Sequence, residues 1–209
     1  HTCALTTTAT VKCWGVNSYG QLGDGTSTAR TTPTAVVGLP NTIAAIATGD
    51  FYTCALTAAG AAWCWGDNSL GQLGDGTKIN RTVPVVVAGL PSAVRAVTLA
   101  YGHTCALLIS GAVNCWGWNG EGQLGNGTKI DSIVPIAVTA LGSGVRSIAA
   151  SIYHTCAVTG EGAIHCWGWN HSGRLGDGSM TDRTTPVAAL GLPSAARTVV
   201  TAESHTCAL

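Results

Sequence analysis

Charge is scarce in this chain of 209 residues. Lys and Arg together number 10, Asp and Glu also number 10, and the formal net charge is zero. Proteins that hold phosphate backbones do so with clustered Lys and Arg side chains, and this sequence contains no basic run. Binding to nucleic acid or to an anionic membrane surface is therefore disfavoured.

Long apolar runs are also missing, although 46% of the residues are hydrophobic and the mean hydropathy is +0.30. No run approaches the ~20 residues of a membrane-spanning helix, so we expect no membrane insertion. An initiator Met and a signal peptide are absent as well, and the sequence opens at His1 and stops at Leu209, both inside a repeated motif. We expect these ends to be cut from a longer protein, with any targeting segment outside them.

What the chain has instead is an internal repeat of 51 residues. A cysteine starts each unit and a second one follows ten residues later, which gives the pairs Cys3 and Cys13, Cys54 and Cys64, Cys105 and Cys115, and Cys156 and Cys166. The repeat units are 1–51, 52–102, 103–153 and 154–204, and 205–209 starts a fifth. A strict period of this length is typical of a repeat array, here a single domain over 1–209.

Each unit contains short β-branched and apolar runs without helical periodicity. In the copy of the repeat from Asn41 to Pro91 we predict four strands, at 42–47, 52–56, 61–66 and 83–87, with a hairpin turn of small residues between the second and third. The last run contains a proline in every unit, which is typical of an edge strand: Pro33, Pro84, Pro135 and Pro186. Four-stranded units repeated at ~40–50 residues indicate an all-β β-propeller, here with four four-stranded blades. The alternative, a parallel β-helix, has shorter coils and needs no hairpins.

The hairpin register follows if Cys54 faces Cys64, because Leu56 then faces Ala62. The same arithmetic places an apolar pair beside the cysteine pair in every unit. Directly opposed residues at a non-hydrogen-bonded antiparallel position have Cα atoms ~4.5 Å apart, a separation near the short end of what a disulfide bridges. We therefore predict one disulfide in each blade hairpin.

Four such disulfides indicate an oxidising compartment. One alternative is that the cysteines are reduced and pack as small apolar groups. A zinc site is disfavoured, since nine residues separate the two cysteines of a pair whereas zinc knuckles use two to four. Cys207 starts a fifth pair, and we expect it to be unpaired within this sequence.

The run Trp-Gly-Val-Asn-Ser-Tyr-Gly-Gln-Leu-Gly that starts at Trp14 resembles the repeat of the regulator of chromosome condensation family. It recurs from Trp65, Trp116 and Trp167, with Arg174 in place of Gln in the last unit. The resemblance covers essentially the whole chain and implies a propeller that typically has about seven blades. Its paired cysteines make the chain look more like a secreted bacterial branch with similar repeats. The nucleotide-exchange activity of the eukaryotic namesake is not carried over, because the loop residues that serve it have no match here.

Histidines occupy one repeat position in most units, with Tyr52 in the second: His1, His103, His154 and His205. Four equivalent histidines could ring a channel and bind a metal, but Tyr52 breaks that ring. We interpret them as structural groups that satisfy a neighbouring backbone atom. The single Asp of each Gly-Asp-Gly turn, such as Asp75, offers too few oxygens for Ca²⁺. We assign no metal, no cofactor and no catalytic residue.

The residues that break the period are the candidate binding positions. The tryptophans that start each Trp-Gly step recur strictly and are predicted to form the core, whereas the loop that follows them varies from unit to unit. Variable positions on a regular propeller can distinguish one partner from another. The candidate binding loops contain Tyr19, Leu70, Trp118, Glu121, Trp169 and His171.

Together these features predict a secreted or cell-surface propeller that binds another protein or a cell-surface glycan, or that is a structural subunit of a larger extracellular assembly. The alternative is a secreted inhibitor that docks one propeller face onto an enzyme. A hydrolase or lyase with its site on that face is less favoured, because no set of acids or nucleophiles can be assembled from the sequence.

Overall fold

The computed structural model describes residues 1–91, 93–192 and 195–209. The first sheet has three strands, β1 (Thr2–Leu5), β2 (Val11–Gly15) and β3 (Arg30–Ala35). Three four-stranded antiparallel sheets follow: β4 (Ile43–Thr48), β5 (Tyr52–Thr57), β6 (Ala62–Gly66) and β7 (Arg81–Val86); β8 (Val94–Leu99), β9 (His103–Leu108), β10 (Val113–Gly117) and β11 (Ser132–Ala137); and β12 (Val145–Ala150), β13 (His154–Thr159), β14 (Ile164–Gly168) and β15 (Arg183–Ala188). The last sheet pairs β16 (Val199–Thr201) with β17 (Thr206–Ala208).

The predicted four-stranded blade is thus complete in three sheets. The first sheet has three strands and contains no counterpart of β4, the strand that precedes the Tyr52-Thr-Cys sequence in the second sheet. A short 3₁₀ turn at Thr139–Leu141 is the helical element of the described residues. Within 1–91, 93–192 and 195–209, no helix has the length and hydrophobicity needed to cross a bilayer.

The sheets are arranged around a common axis. The first strands of successive sheets, β4, β8, β12 and β16, contact one another in that order. The fourth strands, β7, β11 and β15, lie at the opposite edge of their sheets. This radial arrangement is that of a propeller, as the sequence predicts, and differs from a linear stack.

The hairpin register is confirmed in every blade. Cys54 lies opposite Cys64 and Leu56 opposite Ala62, with the two cysteine Cα atoms 4.1 Å apart. The other predicted disulfides are present at the same separation: Cys3–Cys13, Cys105–Cys115 and Cys156–Cys166. Cys207 is exposed and carries no disulfide within the described part of the chain.

The proline-containing run of each unit forms an edge strand, as predicted. Pro84 is in β7, the outermost strand of its sheet, and Pro33, Pro135 and Pro186 occupy the same place in β3, β11 and β15. A proline lacks the N–H that an inner strand would use for a ladder hydrogen bond. At this edge it also blocks the addition of a further strand.

The hydrophobic core lies between neighbouring sheets. One cluster joins Cys54, Leu56 and Ala62 of one blade to Leu108 and Trp116 of the next. Three of the four strictly periodic tryptophans are fully buried, as predicted: Trp65, Trp116 and Trp167. Trp14, in the first sheet, is half-buried and departs from the prediction. Because each blade packs its apolar face against the next one, the blades form a rigid support for their connecting loops.

Candidate functional site

Two loops of each blade emerge at the same end of its sheet, since antiparallel strands alternate in direction. One joins the first strand to the second, as at 49–51, and the other joins the third to the fourth, as at 67–80. We call this end of the propeller the loop face. The candidate binding residues of the sequence all belong to the longer of these two loops.

A buried asparagine holds the longer loop in shape. The Asn68 side chain donates to the carbonyl oxygens of Thr77 and Ile79 at 3.1 and 3.2 Å, and its Oδ1 accepts from the Leu73 N–H at 2.9 Å. Asn17, Asn119 and Asn170 make the equivalent bonds. One side chain thereby satisfies loop backbone groups that no strand can pair.

The aspartate of the Gly-Asp-Gly turn accepts hydrogen bonds from side chains of its own loop and of the strand that follows. Asp75 accepts a hydrogen bond from Arg81 Nε at 2.8 Å and one from the Thr77 hydroxyl at 2.7 Å. Burial alone would raise the pKa of this carboxyl, but the hydrogen bonds from Thr77 and Arg81 outweigh burial and lower it. In the third blade Asn126 replaces the acid and Ser132 replaces the arginine, so the pair of charges is lost together.

The loops are joined to the next blade by a tryptophan and a threonine. The Gln72 carbonyl oxygen accepts from Trp116 Nε1 at 2.9 Å and from the Thr104 hydroxyl at 2.8 Å. The same pair of bonds reaches the carbonyls of Gln21 and Gln123. Gly74 is required here, because its φ is +69° and a Cβ would lie 2.6 Å from the Trp116 indole nitrogen.

The periodic histidines also connect blades. His103 Nε2 lies 2.9 Å from Thr155 Oγ1 of the following blade, and this hydroxyl already donates to the Gln123 carbonyl. The histidine must therefore be the donor, protonated on Nε2. The partner is a threonine hydroxyl, where the sequence suggested a backbone group. Among the described residues, no cluster of three His, Cys, Asp or Glu side chains could hold a metal ion.

Tyr52 makes the same connection with a longer side chain. Its hydroxyl donates to the His103 carbonyl at 2.7 Å and lies 2.9 Å from Thr104 Oγ1. The larger ring fits because Gly49 lies beside it, where a Cβ would be 2.7 Å from the tyrosine ring. In the third blade, which has His103 in place of the tyrosine, the equivalent of Gly49 is Ala100.

These buried histidines predict a loss of stability in acid. Burial, followed by repulsion from His154, lowers the pKa of His103 to about 3, and burial with Arg174 and His205 nearby lowers that of His154 to about 4. In the unfolded chain both protonate near pH 6.5. The unfolded state therefore binds more protons as the pH falls below 6.5, and we expect a loss of about 1.4 kcal/mol per pH unit for each histidine down to about pH 4.

The variant His103→Gln keeps a donor for Thr155 and does not titrate. We expect its free energy of unfolding, measured by urea denaturation at pH 7 and pH 5, to fall about 1–2 kcal/mol less than that of the wild type between the two pH values. His171→Ala is the control, since His171 is exposed, and its pH dependence should match the wild type. An unchanged pH dependence in His103→Gln would contradict the buried, neutral state of this histidine.

The variable residues come together because the two loops of a blade are hydrogen-bonded to each other. The Trp118 N–H donates to the Gly102 carbonyl at 2.8 Å, and the Trp169 N–H donates to the Tyr153 carbonyl at 3.0 Å. Each bond places the start of the longer loop beside the shorter loop. A side chain that varies in one loop therefore lies next to one that varies in the other.

A row of rings results, which we call the aromatic ridge: Tyr19, Phe51, Tyr101, Trp118, Tyr153, Trp169 and His171. In its first half, the Phe51 ring centroid lies 5.2 Å from that of Tyr19 and 6.1 Å from that of Tyr101. In its second half, Tyr153 lies 6.0 Å from Trp118 and 4.8 Å from Trp169, and Trp169 lies 5.0 Å from His171. Edge-to-face contacts of this kind stabilise a ring cluster by about 0.5–1.5 kcal/mol per pair.

Arg174 supports the end of the aromatic ridge. In the other units a glutamine at this position accepts from a loop N–H, as Gln72 does from Leu70. Arginine cannot accept; instead its guanidinium lies 4.1 Å from the Trp169 ring centroid, a cation–π contact, and donates to the Glu203 carbonyl. This departure from the Trp-Gly-x-Asn-x-x-Gly-Gln-Leu-Gly motif thus lies directly beneath the ridge.

The structure brings together four of the six candidate residues, namely Tyr19, Trp118, Trp169 and His171. Leu70 lies beside them, next to Gly102 and Trp118. Glu121 instead points to Lys129, whose ammonium is 3.5 Å away. That these six residues bind a partner therefore remains a prediction.

Sequence reasoning missed Phe51, Tyr101 and Tyr153. A signal was available, because Phe51 and Tyr153 directly precede the Tyr/His-Thr-Cys sequence and Tyr101 stands two residues before it. This position also varies between units. Its importance appears only when the shorter loop is seen to lie against the longer one.

Family models of the regulator of chromosome condensation (RCC1) repeat match this chain over 11–56, 59–107, 110–158 and 161–209. The chain is 36% identical over 193 residues to the ultraviolet-B receptor UVR8 of Arabidopsis thaliana, and this alignment covers 89% of this chain and 43% of the receptor. It is 37% identical over 199 residues to the probable E3 ubiquitin-protein ligase HERC4 of Homo sapiens, covering 91% of this chain and 18% of the ligase. The chain thus spans less than half the length of these relatives.

Among solved structures, human WBSCR16 superposes with a TM-score of 0.87 at 25% identity, covering 99% of this chain and 55% of the other. Yeast RCC1 (Prp20), solved with Kap60 bound, superposes with a TM-score of 0.80 at 21% identity, covering 94% and 49%. A further structure of Prp20p from Saccharomyces cerevisiae is described with its binding to Gsp1p and histones. The two yeast structures support the fold alone.

Proposed function

This chain belongs to the regulator of chromosome condensation (RCC1) repeat family, and on that premise we propose that it is a protein-binding propeller of an oxidising, extracellular compartment. The aromatic ridge is its contact surface. Four disulfides fit an oxidising compartment, and the yeast relative was solved with a protein bound. A ring of about seven blades remains a prediction.

One observation carries the proposal. The periodic tryptophans Trp65, Trp116 and Trp167 are fully buried between blades, whereas the non-periodic rings of the loop face are half-buried or exposed, such as Tyr19 at 39% and Tyr101 at 43%. Packing explains the buried rings, but it does not require a row of rings in contact along one face. Exposed aromatic clusters are the usual centre of protein–protein contacts.

The ridge is tested by capture of a partner. Immobilised wild-type protein is incubated with the extracellular proteins of its source, and bound proteins are identified by mass spectrometry. We expect the double variant Trp118→Ala/Trp169→Ala to retain at least tenfold less of the partner, because removal of central aromatic residues costs 2 kcal/mol or more. The identity of the partner separates a structural role from inhibition, since an inhibitor would retain a soluble enzyme.

A matched control is available at the other end of the blades. Ile109 lies in the turn between β9 and β10, away from the loop face, and is 67% exposed. Ile109→Ala should retain the partner as the wild type does. Equal capture by the ridge variant and the wild type would contradict the proposal.

A further inference from the structure

The aromatic ridge contains a cavity between two blades. Its volume is about 270 Å³, and it is lined by Tyr101 and Trp118 of one blade and by Ile152 and Tyr153 of the next. The Trp118 and Tyr153 rings meet nearly edge to face, with 68° between their planes. Gly120 lies against the indole, where a Cβ would be 2.7 Å from Nε1, so the ring is held against its own loop.

No lining residue of this cavity carries a charge. The charged side chains in the loops of these two blades are engaged elsewhere. Lys129 lies 3.5 Å from Glu121 and 3.6 Å from Asp182, and Arg174 is buried beneath Trp169. A strongly acidic or basic segment would therefore find no unpaired counter-charge, and a neutral ligand is favoured.

The polar side-chain groups of the lining residues are an indole N–H, which only donates, and two phenol hydroxyls, which can donate and accept. In the described part of the chain, the indole N–H groups that bond to a carbonyl are those of the buried Trp65, Trp116 and Trp167. The N–H of Trp118 is not among them and is left to bond to a ligand acceptor.

This donor set separates two ligand classes. A glycan presents many hydroxyls, each of which also needs an acceptor, and the lining side chains offer two phenol oxygens and no carboxylate or amide. A proline-rich peptide presents carbonyl oxygens and no N–H at proline. Its polyproline II form exposes those carbonyls to solvent and presents flat apolar rings.

We propose that the aromatic ridge binds a proline-rich segment of its partner in the polyproline II conformation, with a proline ring in the cavity between Trp118 and Tyr153. The inference rests on the proposed function and names the chemistry of the partner. Aromatic-lined grooves recognise such segments because the polyproline II helix is preformed and loses little entropy on binding. The neighbouring rings extend the groove on both sides of the cavity.

The test is a titration of the whole chain with a synthetic decaproline peptide, followed by calorimetry. We expect saturable binding that persists in 0.5 M NaCl, because no ion pair contributes. Trp118→Ala should weaken binding at least tenfold. Trp118→Phe, which keeps a ring and removes the N–H, should weaken it less, and Ile109→Ala should not change it. Each variant is compared with the wild type by thermal unfolding before titration.

Three outcomes would overturn the inference: no saturable binding, equal affinity of wild type and Trp118→Ala, or loss of binding in salt. A glycan is tested separately with a neutral hexasaccharide, and binding of that probe with no binding of decaproline would also overturn it. If decaproline fails while the double ridge variant still loses its protein partner, the proposed function stands and only this inference fails.

Discussion

Equilibrium reduction of the four disulfides is expected to leave the chain largely unfolded at 25 °C. Each disulfide joins residues ten apart, and closing a loop of that size in the unfolded state stabilises a protein by about 2–3 kcal/mol. The four together amount to roughly 10 kcal/mol, which is comparable with the 5–15 kcal/mol by which ordinary domains are stable. The partly exposed ion pairs of the loops, such as Lys129 with Glu121 and Asp182, contribute too little to substitute for the disulfides.

The measurement is a pair of urea unfolding curves, one for the oxidised protein and one equilibrated with dithiothreitol. The double variant Cys105→Ala/Cys115→Ala resolves the contribution of one blade and should lose at least 2–3 kcal/mol. Cys207→Ser is the matched control, because Cys207 is exposed and free, and should lose almost nothing. Nine alkylatable thiols in unreduced native protein, where we expect one, would contradict both the disulfides and the oxidising compartment.

Trp116→Ala is expected to destabilise the protein by about 3–5 kcal/mol, the usual cost of removing a large buried aromatic side chain. Trp116 is fully buried between two blades and its indole donates to the Gln72 carbonyl at 2.9 Å. Its loss opens a cavity and removes one of the two bonds that join the loop to the next blade. Trp116→Phe retains most of the packing, and we expect it to lose roughly 1–2 kcal/mol.

Trp118, two residues after Trp116, provides a comparison within the same loop region. Trp118 is half-buried on the loop face and its indole makes no such bond, so Trp118→Ala should cost less than about 1 kcal/mol. Thermal and urea unfolding of the two alanine variants measure the difference directly. Equal destabilisation by both would contradict the distinction between a structural tryptophan at the repeat position and a half-buried one on the ridge.

The hairpins were predictable from sequence because their determinants are local. Cys54 and Cys64 are close in the chain, a strand alternates sides with a period of two, and the apolar pair Leu56 and Ala62 fits one register only. The prolines of the outer strands were predictable for a similar reason, since a missing N–H is a property of the residue itself.

The contacts between blades were not predictable in the same detail. His103 and Thr155 are 52 residues apart, and nothing in the sequence of either strand indicates that the pair meets. Sequence reasoning assigned the histidine a structural role and named the wrong kind of partner. The second blade has Gly49 and Tyr52 where the third has Ala100 and His103. Only the structure explains why the two residues change together, because the Tyr52 ring lies where a Cβ on residue 49 would be.

Sequence alone determined the blade, because a 51-residue period, a paired cysteine and an edge proline act through backbone geometry within one unit. Only the tertiary structure decided which variable residues meet, since Phe51, Tyr101 and Tyr153 join Trp118 and Trp169 through loops that come together when the sheets are in place. The physical reason is that strand pairing is set by near neighbours in the chain, whereas the composition of the loop face depends on how whole sheets pack around the axis.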